Sequence, residues 1–164
     1  MSINSQDGPS CAEKAAAGDP EAQFALGFSF VARPAPNDYL QAMEWYQKAA
    51  DQNHRLAQFN LGQMFAHGQG IPKSDSMALM WIRRAAHGGD AGAQFDMGER
   101  YSRTGARGSE MDAVESRIEA YKWFTLAAAQ FYGNSQMRSD SATLQMTREE
   151  VAEGNRRVRD FVAA

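Results

Sequence analysis

The side chains able to carry chemistry are few and scattered: Cys11, the histidines at 54, 67 and 87, the adjacent pair Glu149-Glu150, and two glycine-rich strings. The histidines have no metal-ligand spacing with one another or with Cys11, so no metal site is expected. Adjacent carboxylates on a helix point apart, and Glu150 is better placed to cap a helix than to act as a general acid or base. Gly68-x-Gly70 and Gly105-x-x-Gly108 follow no strand and lack the Lys-Ser/Thr ending of a phosphate cradle, so both read as turns. Cys11 has no histidine near it in sequence and reads as a buried or end-capping thiol rather than a nucleophile. No catalytic residue, cofactor-binding residue, cofactor or metal is expected.

The elements that would position any site come from an internal repeat. AQFALG (Ala22 to Gly27), AQFNLG (Ala57 to Gly62) and AQFDMG (Ala93 to Gly98) recur at spacings of 35 and 36, each followed by an aromatic: Phe30, Phe65 or Tyr101. A second string recurs as Ala42..Trp45...Ala49-Ala50, Ala78..Trp81...Ala85-Ala86 and Ala120..Trp123...Ala127-Ala128. Its spacings are 36 and 42, which places a six-residue insertion between the halves of the third copy. Both halves have the 3.6-residue apolar period of a helix, so the unit is helix, turn, helix. Asp38, Ser74 and Ser116 stand where an oxygen can cap the second helix, and Asp38 with Gln41 and Ser116 with Glu119 have capping-box spacing. Gly27, Gly62 and Gly98 each cost about 1 kcal/mol relative to alanine inside a helix. A close crossing against the small alanines of the facing helix accounts for them, with tryptophan rings filling the flanks.

The ends read as half-units. Lys14-Ala15-Ala16 matches Lys48-Ala49-Ala50, which makes the first helix a truncated second half with Cys11 at the tryptophan position. Residues 134–145 form a weakly patterned further helix. Thr147 to about Phe161 is a clearer one, with Thr147 and Glu150 in capping-box spacing and a charged outer face suited to a terminal cap. The expectation is an all-α chain of about seven or eight helices without a sheet. Residues 1–10 form a flexible N-terminus and 11–164 a single domain, with units at about 20–53, 55–89 and 91–130 and a cap at 134–162. Ser102 to Glu115 reads as the most mobile internal loop.

From Lys14 to Gln130 these strings resemble the Sel-one-like repeat (SLR), a relative of the tetratricopeptide repeat. The second copy matches most fully, with Ala57, Leu61, Gly62, Phe65, Gly68, Gly70, Ile71, Ala78, Trp81, Ala85, Ala86 and Gly88. The first copy departs in its loop, Arg33-Pro-Ala-Pro-Asn37, and the third in Thr104 to Glu115. The resemblance implies an α/α solenoid that binds proteins or peptides, often as an adaptor, without catalytic machinery of its own.

With Ala22 at 0° and about 100° per residue, packing consumes the arc through Leu26, Phe30, Gly27 and Phe24. The remaining arc holds Phe28 in copy one, Asn60, Gln63, Met64 and His67 in copy two, and Asp96, Glu99, Arg100 and Arg103 in copy three. These positions differ between copies while the packing positions repeat. They are either simply solvated or a partner-binding strip on the concave face, formed by Phe28, Asn60, Gln63, His67, Asp96, Glu99 and Arg103. Phe28, a large apolar residue on that arc, favours binding. Met64, Met77 and Met80 fit either a sticky surface or core gap-filling.

The 164 residues carry 17 Lys and Arg against 20 Asp and Glu, a net charge of −3 with the signs interspersed, which gives no nucleic-acid footprint. No apolar run reaches the roughly 20 residues of a membrane span. The N-terminus has no export signal, so a cytoplasmic chain is expected, the alternative being a mature periplasmic or secreted chain whose signal was removed. A monomeric, non-enzymatic module for a protein or peptide partner is the first reading of function. A dedicated regulatory subunit or inhibitor of one enzyme is the second, and an enzyme in its own right the third.

Overall fold

The helical periods are realised as nine α-helices in a computed structural model that describes residues 10–32, 38–105 and 109–163. They are α1 (Cys11–Ala16), α2 (Pro20–Ala32), α3 (Asp38–Asp51), α4 (Arg55–His67), α5 (Asp75–His87), α6 (Ala91–Thr104), α7 (Glu110–Ala128), α8 (Ser135–Thr143) and α9 (Arg148–Ala163). The chain is all-α, with no strand among the described residues. It groups into two compact units, one ending at Gly88 and the other beginning at Gly89. The loop of the first copy at 33–37 and the N-terminal segment at 1–9 lie outside the described residues.

In the first unit each helix packs on the next, α1 on α2 through to α4 on α5. The second is built around α7, which packs against α6, α8 and α9. The repeat glycines are the close-contact points. A Cβ on Gly27 would lie 2.8 Å from the Tyr46 ring, one on Gly62 2.7 Å from Ile82 Cγ1, and one on Gly98 2.6 Å from the Phe124 ring. The residue that fills the glycine notch is therefore the one after each tryptophan. The facing carbonyls are also near, with Ala42 O and Ala78 O at 3.2 and 3.3 Å from those Cβ positions on Gly27 and Gly62. Tyr46 is almost fully buried, and burial pushes its hydroxyl up to about 12. Trp81 and Trp123 are buried, while Trp45 is half-buried with the Lys48 ammonium over its ring at 3.9 Å.

The glutamine of the recurring AQF string is also structural. Gln23 and Gln58 are buried and donate to Ala15 O (3.2 Å) and Ala50 O (3.0 Å), carbonyls near the end of the preceding helix that also accept from the backbone N–H of Gly18 and Asn53. Gln52 donates to Gln23 Oε1 at 2.8 Å and Gln130 to Gln94 Oε1 at 2.9 Å, one amide pair at equivalent places in each unit. The first-half helices are capped three residues before the repeat alanine by Asp19 (2.8 Å), His54 (Nδ1, 3.2 Å) and Asp90 (2.7 Å). Those caps are absent from the sequence reading because Asp, His and Asp do not look like one motif.

Three expectations need correction. Asp38 is the first residue of α3 rather than its cap. Ser116 lies inside α7, whose capping box is formed by Ser109 and Asp112 instead. The six-residue insertion therefore lengthens a helix, since α7 has 19 residues against 13 in α5. Most of the Ser102–Glu115 segment is accordingly helical, the end of α6 and the start of α7, and 106–108 lie outside the described residues. Ser74 does cap α5, and Thr147 with Glu150 closes the expected box at the start of α9.

Part of the charge on α9 is a fastening, while Arg148, Glu149, Arg156, Arg159 and Asp160 remain on its exposed face. Arg157 holds Glu115 and Glu119 of α7 at 2.6 and 2.8 Å as well as Glu153 on its own helix. Arg117 donates to Glu150 at 2.9 Å, Tyr121 donates to Asn155 at 2.9 Å, and Gly154 sits against the Tyr121 ring. The hydrogen bond from Arg157 holds the Glu115 carboxyl below its ordinary range. The same arginine does so for Glu153. Burial raises Glu150, but Arg117 and the Thr147 N–H outweigh it and the net shift is downward.

The residue that leaves each AA helix end adopts left-handed backbone: Gly18 (φ 100°), Asn53 (64°), Gly89 (83°) and Phe131 (56°). Glycine and asparagine visit that region readily, whereas other residues pay roughly 1–2 kcal/mol. Phe131 is also 96% exposed, so no burial offsets the strain. Phe131→Gly is expected to stabilise the chain by about 1 kcal/mol, the relieved strain less glycine's chain entropy. Urea unfolding measures it, and an unchanged or lower midpoint would contradict the strained assignment.

Candidate functional site

In the first unit the strip begins with Phe28 on α2, 55% exposed, its ring 6.3 Å from Phe24. Phe24 in turn stacks on Tyr46 and His54 (5.7 and 4.8 Å), so Phe28 is the outermost ring of an aromatic column rooted in the core. His54 holds that column in place: Nδ1 caps α4, which leaves the proton on Nε2 to face Glu21 at 2.9 Å. On α4, Asn60 is half-buried and donates to Leu56 O, while Gln63 and His67 pair at 3.1 Å. Met64, placed on the open arc by the sequence, is buried instead and belongs to the core.

In the second unit α6 carries Asp96, Glu99 and Arg103. Asp96 pairs with Arg100 at 2.7 Å. Glu99 accepts from Arg138 of α8 and lies 3.8 Å from Arg103, whose side chain is 74% exposed. Arg103 is thus the most available cation of the set, whereas Asp96 and Glu99 are half-buried and occupied by arginines.

Two features were left open or misplaced by the sequence reading. On α5, Ser76, Leu79, Met80, Arg83, Arg84 and His87 line a shallow apolar groove, and Met77 and Met80 are exposed rather than gap-filling. Their i, i+3 spacing was visible, but not which face α4 left uncovered. Cys11 is exposed rather than buried, its Sγ 3.7 Å from Ala22 O. The truncated first helix has nothing before it to cover that position in the described residues. No described helix is long and apolar enough to cross a membrane.

Helical hairpins packed through a glycine notch, with a core of repeat positions and a variable outer arc, define an α/α solenoid of interaction-repeat type. The chain belongs to the Sel1 repeat family, which it matches at residues 20–54, 55–90 and 91–130. Among solved structures, a protective antigen of uropathogenic Escherichia coli with an SLR fold is similar over 93% of this chain and 32% of its own, at 25% identity and a TM-score of 0.78. A Sel1 repeat protein from Oxalobacter formigenes is similar over 79% of this chain and 49% of its own, at 30% identity and a TM-score of 0.63. The curated relatives include DAP3-binding cell death enhancer 1 of Rattus norvegicus, 36% identical over 58 residues, and of Mus musculus, 37% identical over 57. The matched stretch is 34% of this chain, and it spans only 11% of those relatives. Sel1 repeat proteins are in general protein-interaction modules.

Proposed function

We propose that this protein is a non-enzymatic adaptor or scaffold that takes a peptide or protein segment on the exposed arcs of its first-half helices. Phe28, Asn60, Gln63 and His67 serve in the first unit, and Asp96, Glu99 and Arg103 in the second. The observation that carries the reading is Phe28. It is more than half exposed yet anchored on a stacked column that runs through Phe24 to Tyr46, which is the rigid presentation an aromatic binding anchor requires. The rodent relatives, named as DAP3-binding, agree with a binding role for this repeat.

Asn60 and Gln63 offer amides to an extended backbone, and Arg103 offers a guanidinium to a carboxylate. The test is affinity purification from the source cell followed by calorimetry against the recovered partner. Phe28→Ala, Asn60→Ala and Arg103→Glu are expected to weaken binding at least about tenfold together while leaving the melting temperature nearly unchanged, because affinity rests on a few anchors. Undiminished affinity in the triple variant would remove the strip as the binding face. A single stoichiometric enzyme partner would make the chain a dedicated subunit rather than an adaptor.

A further inference from the structure

In the second unit the end of α6, the middle of α7 and the second half of α8 enclose a cavity of about 220 Å³. Tyr101, Phe124 and alanines form its apolar wall, and Arg117, Arg138, Ser141 and Gln145 supply the polar groups. Among the described residues two guanidiniums therefore line it and no carboxylate does. The acids that hold those arginines, Glu150 and Glu99, stand outside the lining.

Neither arginine is used up by its carboxylate. Arg117 gives one terminal nitrogen to Glu150, while its Nε–H is buried and meets no hydrogen-bond acceptor. Arg138 turns Nε and Nη2 to Glu99 and lies with its guanidinium 5.6 Å from the Phe124 ring centre. Nη1 of each arginine is taken by no carboxylate among the described residues, and a charge-assisted bond to such a group is stronger in a partly enclosed cavity than at an open surface. The two acids already offset much of the positive charge, which suits a singly charged group better than a phosphate. The volume lies below the roughly 300–1,000 Å³ of drug-sized pockets and suits an apolar body of amino-acid size.

We propose that this cavity receives one carboxylate attached to an amino-acid-sized apolar group, the carboxylate on Arg117 and Arg138 and the apolar part against Phe124 and Tyr101. The chemistry is shared by the C-terminal residue of a partner chain and by a free small carboxylic acid. The cavity adjoins the second unit's arc through the Arg138–Glu99 pair, but no strip residue lines it, and the inference does not depend on the adaptor reading.

The test follows the arginine Nε–H signals of the full ¹⁵N-labelled chain by NMR during titration with N-acetyl-leucine and with N-acetyl-leucinamide. The acid is expected to shift the Arg117 and Arg138 signals, and the amide to bind at least about tenfold more weakly. Arg138→Gln should weaken the acid about tenfold and Ala142→Phe should abolish its binding by filling the cavity while keeping both arginines. If Ala142→Phe fails to fold, Arg138→Gln carries the test. An acetylated tetrapeptide ending in leucine that binds about tenfold tighter than N-acetyl-leucine, and loses this on amidation, assigns the site to a chain terminus; equal affinity assigns it to a free acid. Equal shifts from acid and amide, or an unmoved Arg117 signal, would overturn the proposal. Phe28→Ala should leave every one of these titrations unchanged, so failure here is distinct from failure of the strip.

Discussion

Gly62→Leu is expected to destabilise the chain by about 3 kcal/mol or more, at the upper end for overpacking. The first carbon of any side chain there would stand 2.7 Å from Ile82 Cγ1, 3.2 Å from the Ile82 nitrogen and 3.3 Å from Ala78 O. The Ile82 side chain can rotate, but the backbone atoms can move only if α5 shifts off α4. Leu61 and Trp81, which flank the crossing and are almost fully buried, would lose packing with that shift. Gly70→Ala is expected to cost about 2 kcal/mol rather than little. Gly70 has φ 72°, and its Cβ would fall 2.6 Å from Tyr39 Cβ and 3.1 Å from the Tyr39 carbonyl carbon. The family's second loop glycine is thus a docking point for the start of α3. Urea unfolding of both variants checks this, and losses under about 1 kcal/mol at Gly62 would refute a close crossing.

Arg157→Met is expected to loosen α9 from α7 and lower stability by about 1–2 kcal/mol at neutral pH, solvent screening included. The methionine keeps the aliphatic stem, so the loss reports the guanidinium's bonds to Glu115, Glu119 and Glu153. Glu115 and Glu153 titrate below their ordinary 4.5 in the folded chain, chiefly through the hydrogen bond from Arg157. Their unfolded values are higher, so the unfolded chain takes up protons first as pH falls. This stabilisation is complete above about pH 4.5 and disappears as pH drops through the lower folded values. The variant should therefore differ from the parent at about pH 7, and the difference should shrink as pH falls below 4.5. A difference that does not shrink would mean that packing, not charge, holds α9.

The sequence by itself determined the helical class, the register of the three copies and the glycine positions of close approach, since each rests on a period or a spacing that recurs three times. It also determined the Thr147–Glu150 box, a contact within one turn. Contacts between segments distant in sequence were decided by the tertiary structure. Ser116 has a capping residue's chemistry and spacing, yet Ser109 and Asp112 offered a box about two turns earlier and the insertion was absorbed as helix. Tyr46, Ile82 and Phe124, and not the tryptophans, stand nearest the glycine notches, a choice set by how the two helices pack and not by either helix alone. The wheel placed Met64 in solvent because a wheel knows one helix. Burial at each position depends on which neighbour packs there, so Arg157 became the clamp of the last helix and Arg117 and Arg138, 21 residues apart in sequence, came to line one cavity.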